Sequence, residues 1–127
     1  MKPAEKIRLY LFTLLCALIL AGCGKKGSSV DASKPIDEVR AEAEKMDVTQ
    51  LREIAAKYNQ AILEKAKEIE KLTTQIKPTD LLSAETKKLK AEIENLNKAI
   101  SPLKERLKIY YDKLKEKGGD VSGLEAK

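Results

Sequence analysis

The chain has 127 residues, enough for one small domain, and its formal net charge is +5 at pH 7. It contains no histidine and two cysteines, Cys16 and Cys23, so a cysteine–histidine nucleophile pair is excluded. After residue 22 the sequence is rich in Ala, Glu, Lys and Leu, a composition typical of long helices and coiled coils.

The N-terminus has the layout of an export signal. A basic start, with Lys2, Lys6 and Arg8, leads into an apolar run over residues 9–20. This run has 12 residues, whereas a membrane-spanning helix needs about 20. The pattern therefore predicts a cleaved secretory signal rather than a permanent transmembrane helix.

The apolar run ends in Leu20-Ala21-Gly22-Cys23, which resembles the lipobox of bacterial lipoproteins. The resemblance implies that residues 1–22 are a lipoprotein signal peptide, cleaved between Gly22 and Cys23. It also implies that Cys23 carries lipid and anchors the protein in a membrane. Cys16 does not fit the pattern, because two leucines precede it instead of small residues.

The same resemblance implies a location in the bacterial cell envelope. Lipoproteins with a residue other than Asp after the lipidated cysteine commonly go to the outer membrane of Gram-negative bacteria. Gly24 follows this trend, which implies an outer-membrane protein facing the periplasm if the source is Gram-negative. Cleavage removes three basic residues and one acidic residue, leaving 22 Lys and Arg against 19 Asp and Glu, a net charge of +3. Mixed charges and export both argue against a nucleic-acid partner.

The mature chain begins with a predicted flexible tether over residues 23–34, rich in Gly and Ser. A short helix is predicted over residues 35–46, with Pro35 at its first position. Its apolar stripe consists of Ile36, Val39, Ala43 and Met46. Asp47 and Gln50 then have the spacing of a capping box.

A second helix is predicted over residues 48–76 from a repeat of seven. One seam position holds Val48, Ala55, Ile62, Ile69 and Ile76, and the other holds Leu51, Tyr58, Lys65 and Leu72. Lys65 is the one polar member. Pro78 ends this helix, since it lacks an N–H and disfavours helix in the residue before it. Thr79 and Asp80 are predicted to cap the next helix.

The third helix is predicted over residues 81–117. Its seam consists of Leu82, Leu89, Leu96, Leu103 and Tyr110 in one series and Thr86, Ile93, Ile100, Leu107 and Leu114 in the other. The unbroken spacing favours a continuous helix that is kinked at Pro102, although Ser101 and Pro102 could also start a new one. Gly118 and Gly119 end the helical domain of residues 35–117. Residues 118–127 are predicted to be a flexible tail.

These elements predict an all-α fold, an antiparallel helical hairpin or coiled coil of two long helices preceded by a short one. Pairing Ile76 with Leu82 leaves a connection of residues 77–81, within the usual range for a helical hairpin. This register places Tyr58 beside Ile100, and Lys65 near Glu92 and Glu94. The rival arrangement is a parallel homodimer. The short helix or a second protomer would cover the open face of the hairpin, with Ile54 and Leu63 as contacts.

No residue pattern predicts catalysis, a metal site or a cofactor. Neighbouring carboxylates lie among lysines at helical spacing, which is typical of a solvated face. Tyr111, beside the seam, is the candidate partner contact. Lys127 resembles, in position only, the terminal lysine that joins murein lipoproteins to peptidoglycan.

The resulting hypothesis is a lipid-anchored, non-enzymatic envelope protein whose hairpin acts as a spacer or a protein-interaction module. One alternative is an accessory subunit of an envelope complex, whose helices complete a partner's bundle. Another is a peptidoglycan-associated spacer.

Overall fold

The computed structural model describes residues 30–125, and within this range every regular element is helical. Three α-helices follow one another: α1 (Ile36–Lys45), α2 (Val48–Gln75) and α3 (Ala84–Glu116). A short 3₁₀ turn, Pro78–Asp80, lies between the last two. The predicted all-α fold, with two long helices and a short one before them, is confirmed. No helix within residues 30–125 has the length and apolar character needed to cross a membrane.

Helix α1 begins one residue later than predicted, because Pro35 is its N-cap rather than its first helical residue. The Pro35 carbonyl accepts a hydrogen bond from the Val39 N–H at 3.1 Å. Asp37 and Glu38 lie in the first turn, where negative charge is favourable to the helix dipole. The apolar stripe packs inward as predicted, since Val39 and Ala43 are fully buried.

The turn between α1 and α2 is held by the predicted capping box. The Asp47 carboxylate accepts a hydrogen bond from the Gln50 N–H at 2.8 Å, and the Gln50 side-chain carbonyl accepts one from the Asp47 N–H at 3.1 Å. Each bond satisfies a backbone donor that the helix itself leaves free. Helix α2 ends at Gln75, where the chain turns extended before Pro78.

The connection between α2 and α3 is longer than predicted, and α3 begins three residues later than predicted. Thr79 and Asp80, the expected caps, belong to the 3₁₀ turn instead. The cap is Ser83, whose hydroxyl accepts a hydrogen bond from the Thr86 N–H at 3.1 Å. Leu82, predicted as the first seam residue of α3, is 87% exposed. Leu82 lies between the 3₁₀ turn and the first residue of α3, so it is outside the helix. The seven-residue period of the seam does not continue through the tighter winding of the 3₁₀ turn.

Helix α3 runs without interruption through Pro102, as its seam predicts. The alternative break, with Ser101 as a new cap, does not occur. Proline has no N–H, so the carbonyl of Lys98 loses its helical donor. Ile100 and Leu103, on either side of Pro102 in the seam, are both buried. Their packing keeps the helix in register across the proline.

Helices α2 and α3 pack as the hairpin, and α1 lies against α3. The direction of α1 follows from its contacts with α3. Lys34, just before α1, contacts Arg106, and Glu44, near its end, contacts Lys113. Helix α1 therefore runs parallel to the C-terminal part of α3. The short helix α1 therefore covers one face of the hairpin at this end. The sequence left open whether the short helix or a second protomer would do so.

The two ends of the hairpin differ in burial. We call residues 48–62 and 100–119 the base, and residues 63–99 the distal half. At the base most seam residues are buried, namely Leu51, Ala55, Tyr58, Ile62, Ile100, Leu103, Leu107, Tyr110 and Leu114. Val48, at the edge of the base, is exposed. In the distal half Thr86 is buried, but the apolar seam residues are partly exposed: Ile69, Leu72, Ile76, Leu89, Ile93 and Leu96. Two helices alone leave the flanks of their seam open to solvent.

Two residues outside the strict seam show the same contrast. Ile54, at the base, is 2% exposed, whereas Leu63, in the distal half, is 47% exposed. Of these two predicted contacts, the fold covers only Ile54. Among residues 30–125, Lys65 forms no ion pair with Glu92 or Glu94, although the predicted register placed it near both. Glu94 pairs with Lys98 one helical turn later, at 2.7 Å.

Candidate functional site

The predicted lipidation and cleavage site at Gly22 and Cys23 lies outside the described residues, as does Lys127. The first residues that the structure describes, 30–34, lie against the bundle. Val30 packs against the core. Residues 30–34, predicted as part of the flexible tether, are instead bound to α2 and α3. No residue pattern indicated this, because Asp31 and Lys34 are bound through their backbone groups.

Two buried side chains hold residues 30–34 in place. The Tyr58 hydroxyl accepts a hydrogen bond from the Asp31 N–H and donates one to the Asp31 carbonyl, both at 3.2 Å. Arg106 donates from Nε to the Lys34 carbonyl at 3.1 Å, and also from Nη2. Its Nη1 donates to the Pro102 carbonyl at 2.9 Å. Arg106 is 6% exposed, so backbone carbonyls replace water around its charge.

The rings of Tyr58 and Tyr110 pack on each other at the centre of the base, with centroids 5.5 Å apart and planes tilted by 33°. The predicted register placed Tyr58 beside Ile100 and did not include this contact. Side chains on a helix lean towards its N-terminus. In this register Tyr58 lies nearer the far end of the hairpin than Tyr110, so in the antiparallel pair the two side chains lean towards each other. Burial, and then the neighbouring Tyr58, raise the pKa of Tyr110 to about 12. Tyr110 is therefore a neutral packing residue at physiological pH.

Charged side chains join α1 to the end of α3. Lys113 Nζ lies 2.5 Å from Glu44 and 2.7 Å from Glu116. Hydrogen bonds to Glu116 and then Glu44 raise the pKa of Lys113, and the bond from Lys113 lowers the pKa of Glu44. Lys117 Nζ donates to the carbonyls of Glu44 at 3.0 Å and Met46 at 2.6 Å. These contacts fasten the short helix to the hairpin.

The C-terminal segment folds back on the base, which corrects the prediction of a flexible tail for residues 118–125. Gly118 takes a positive φ of 74° and turns the chain, as glycine does after a helix. Arg52 then pairs with Asp120 at 3.1 Å, and Asn59 Nδ2 donates to the Gly123 carbonyl at 3.0 Å. Leu124 is 5% exposed and belongs to the core. The missed signal was the pair of apolar residues, Val121 and Leu124, in a segment that otherwise looks like a solvated tail.

Tyr111, the candidate partner contact, is half-buried in the described structure. It lines an apolar groove of about 380 Å³ together with Leu107, Leu124, Lys104, Lys108 and Glu125. The folded C-terminal segment thus forms one wall of the groove. Tyr111 packs partly against the core of its own chain, so only part of its ring faces outward.

The far end of the hairpin presents two adjacent leucines to solvent. Leu81 is 50% exposed and Leu82 is 87% exposed. Both lie in the connection between the 3₁₀ turn and the Ser83 cap. The signal that could have located the connection was Ser83, a favoured N-cap residue, followed by acidic Glu85 in the first turn of α3.

Charge is divided unevenly between this far end and the rest of the bundle. We define the tip as residues 71–90, which comprise the connection, the last five residues of α2 and the first seven of α3. It carries five lysines against Asp80 and Glu85, a net charge of +3. The remaining described residues, 30–70 and 91–125, carry 14 basic against 17 acidic residues, a net charge of −3. The tip is therefore basic and the remainder acidic.

Residues 30–125 contain no group of three or more Cys, Asp or Glu side chains placed to hold a metal ion. Comparison of the chain with protein-family models, curated proteins and solved structures found no match.

Proposed function

We propose that the protein is a lipid-anchored, non-enzymatic component of the bacterial cell envelope whose helical hairpin acts as a spacer or a protein-interaction module. The observation that supports this most is the contrast in burial along the hairpin. The base is closed by α1 and the C-terminal segment, whereas the distal half has an open seam and exposed leucines. Such a molecule has a stable base and leaves its far end free for contact.

The dimensions suit a spacer. Helix α3 has 33 residues, which corresponds to about 50 Å at 1.5 Å per residue. Asp31, in the segment that follows Cys23, is hydrogen-bonded to Tyr58, which belongs to the base. Lipid on Cys23 would therefore hold the base near a membrane while the tip remains available to a second surface.

A non-enzymatic role is supported by how the buried polar groups are used. Tyr58 and Arg106 bind backbone groups of their own chain, and Tyr110 packs against Tyr58. The pKa of Tyr110 is raised to about 12, which makes it a poor acid or base at neutral pH. These groups stabilise the bundle through contacts within the chain.

The anchor is tested by growing cells with labelled fatty acid and isolating the protein. We expect label in the wild type and in Cys16→Ser, but none in Cys23→Ser. Equal labelling of Cys23→Ser and the wild type would overturn the proposed anchor. Fractionation of the labelled protein between inner and outer membranes then tests the proposed outer-membrane location.

The open seam of the distal half also favours the alternative of an accessory subunit whose helices complete a partner's bundle. A photocrosslinking residue at Leu63, which is 47% exposed, would report such a partner. Crosslinking to one discrete protein supports the accessory subunit. Crosslinking to a second copy of this chain supports the homodimer. Retention of the uncrosslinked protein on purified peptidoglycan supports the wall-associated spacer.

A further inference from the structure

We propose that the tip of the hairpin, residues 71–90, binds the surface of an anionic phospholipid bilayer and inserts Leu81 and Leu82 into it. The partner of the distal end is left open by the proposed function, so this inference deepens that function and rests on it. Two independent observations carry it, the exposure of the leucines and the uneven distribution of charge.

The first observation is that Leu81 and Leu82 contribute little to the fold. Leu82 is 87% exposed and Leu81 is 50% exposed, so their apolar surface is left in water. They are consecutive and lie in the short connection at the end of the helix pair. Single exposed leucines are common on protein surfaces. Two adjacent ones at the outermost point of a hairpin form an apolar projection that can enter a bilayer without unfolding the helices.

The second observation is the sign of the charge around these leucines. The tip carries five lysines, all of them exposed: Lys71, Lys77, Lys87, Lys88 and Lys90. The tip has a net charge of +3, whereas the other described residues sum to −3. Residues 23–127 have a net charge of +3, so the part of this chain outside the tip sums to zero. An anionic surface therefore attracts the tip more strongly than the rest of the chain, which favours an orientation with the tip towards the lipid.

Together these features match a lipid surface better than a protein groove. Membrane association commonly combines an apolar insertion with basic residues at the head groups, because either signal alone binds weakly. Lysine stems can lie along the acyl boundary while their ammonium groups remain among the phosphates. A helix that docked on a protein would need an apolar stripe along one face. Leu81 and Leu82 instead project from a turn, on the convex end of the hairpin.

The chain contains no tryptophan, so Leu82→Trp introduces a single fluorescent reporter at the tip. The experiment uses the whole mature chain, residues 23–127, with Cys23→Ser to remove the lipid. We expect the emission of Leu82→Trp to shift to shorter wavelength with vesicles containing phosphatidylglycerol, and not with pure phosphatidylcholine. Leu63→Trp is the matched control, an exposed leucine outside the tip, and its emission should stay unchanged. No shift of Leu82→Trp on anionic vesicles would overturn the proposal.

Sedimentation of the Cys23→Ser chain with the same vesicles separates the two contributions. We expect Leu81→Ser with Leu82→Ser, and separately Lys87→Glu with Lys88→Glu, each to weaken binding roughly tenfold. Lys45→Glu with Lys57→Glu reverses two exposed charges away from the tip and should not weaken binding. Full binding by the double serine variant would overturn the proposal. Because these chains carry no lipid, failure here is distinct from failure of the Cys23 labelling experiment.

Discussion

The Tyr58 hydroxyl is joined to the backbone of Asp31 by two hydrogen bonds of 3.2 Å. Tyr58 is the eleventh residue of the 28 in α2, so Asp31 lies against the flank of the bundle rather than at an end. The 17 residues of α2 beyond Tyr58 extend about 26 Å towards the tip. The position of this contact therefore separates the attachment point from the exposed leucines.

The contact between Tyr58 and Asp31 predicts the effect of removing one hydroxyl. Tyr58→Phe keeps the ring and its packing on Tyr110 but loses both hydrogen bonds. We expect the free energy of unfolding to fall by about 1–2 kcal/mol, measured by urea denaturation of the mature chain. Tyr111→Phe, on a partly exposed ring, should change it by less than about 0.5 kcal/mol. A Tyr58→Phe protein as stable as the wild type would show that the contact does not hold residues 30–34.

The folded C-terminal segment predicts that Leu124 matters for stability. Leu124 is 5% exposed, whereas Leu82 is 87% exposed. Leu124→Ala removes buried apolar surface and should lower the free energy of unfolding by about 2 kcal/mol. The same substitution at Leu82 should change it by less than about 0.5 kcal/mol. Equal effects of the two substitutions in thermal and urea denaturation would mean that the segment does not pack as described.

The turn into the C-terminal segment predicts different outcomes for its two glycines. A Cβ at Gly119 would lie 2.2 Å from Leu114 Cδ1 and 2.9 Å from Val48 Cγ1. Gly119→Ala should therefore lower the free energy of unfolding by about 3 kcal/mol and increase proteolysis of the C-terminal segment. At Gly118 a Cβ meets nothing within 4 Å, and only the positive φ of 74° opposes it. Gly118→Ala should lower the free energy of unfolding by about 1 kcal/mol. A larger loss of stability in Gly118→Ala than in Gly119→Ala would contradict the described turn.

The ion pair between Glu44 and Lys113 predicts how stability changes with pH. The hydrogen bond from Lys113 lowers the pKa of Glu44 below its ordinary value of 4.5. A carboxyl group with a lowered pKa stabilises the fold fully above its unfolded pKa, and the contribution disappears as pH falls through the folded pKa. We expect the Tm to decrease below about pH 4.5, and less steeply in Glu44→Gln. An unchanged dependence of the Tm on pH in Glu44→Gln would contradict this. Glu92→Gln is the control, since Glu92 belongs to none of the ion pairs of residues 30–125.

The helices were predictable because their signals are local. Asp47 and Gln50 form their capping box within three residues of each other, and the seven-residue seam carries α3 through Pro102. The start of α3 was predicted wrongly because the 3₁₀ turn at Pro78 competes with the helix over a few residues. Whether one turn of chain forms a 3₁₀ turn or the first turn of an α-helix depends on small differences in free energy, and the spacing of apolar residues does not report them.

The contacts at the base were less predictable, because they join distant residues through backbone groups. Arg106 binds the Lys34 carbonyl, and Asn59 binds the Gly123 carbonyl, 72 and 64 residues away in sequence. A carbonyl acceptor is present in every residue, so no side-chain pattern marks which one will be used. For the same reason the folding of residues 30–34 onto the helices was missed. The folding of residues 118–125 did have a side-chain signal, the apolar residues Val121 and Leu124, which was overlooked.

Residue-resolved hydrogen–deuterium exchange of the mature chain tests most directly whether the hairpin has a closed base and an open distal half. Amides at the centre of the base, around residues 51–62 and 103–114, should exchange most slowly, at the rate of global unfolding. Amides around residues 66–74 and 88–96 should exchange faster, through local opening that leaves the base folded. Equal protection along both long helices, or slower exchange in the distal half, would contradict an open distal half.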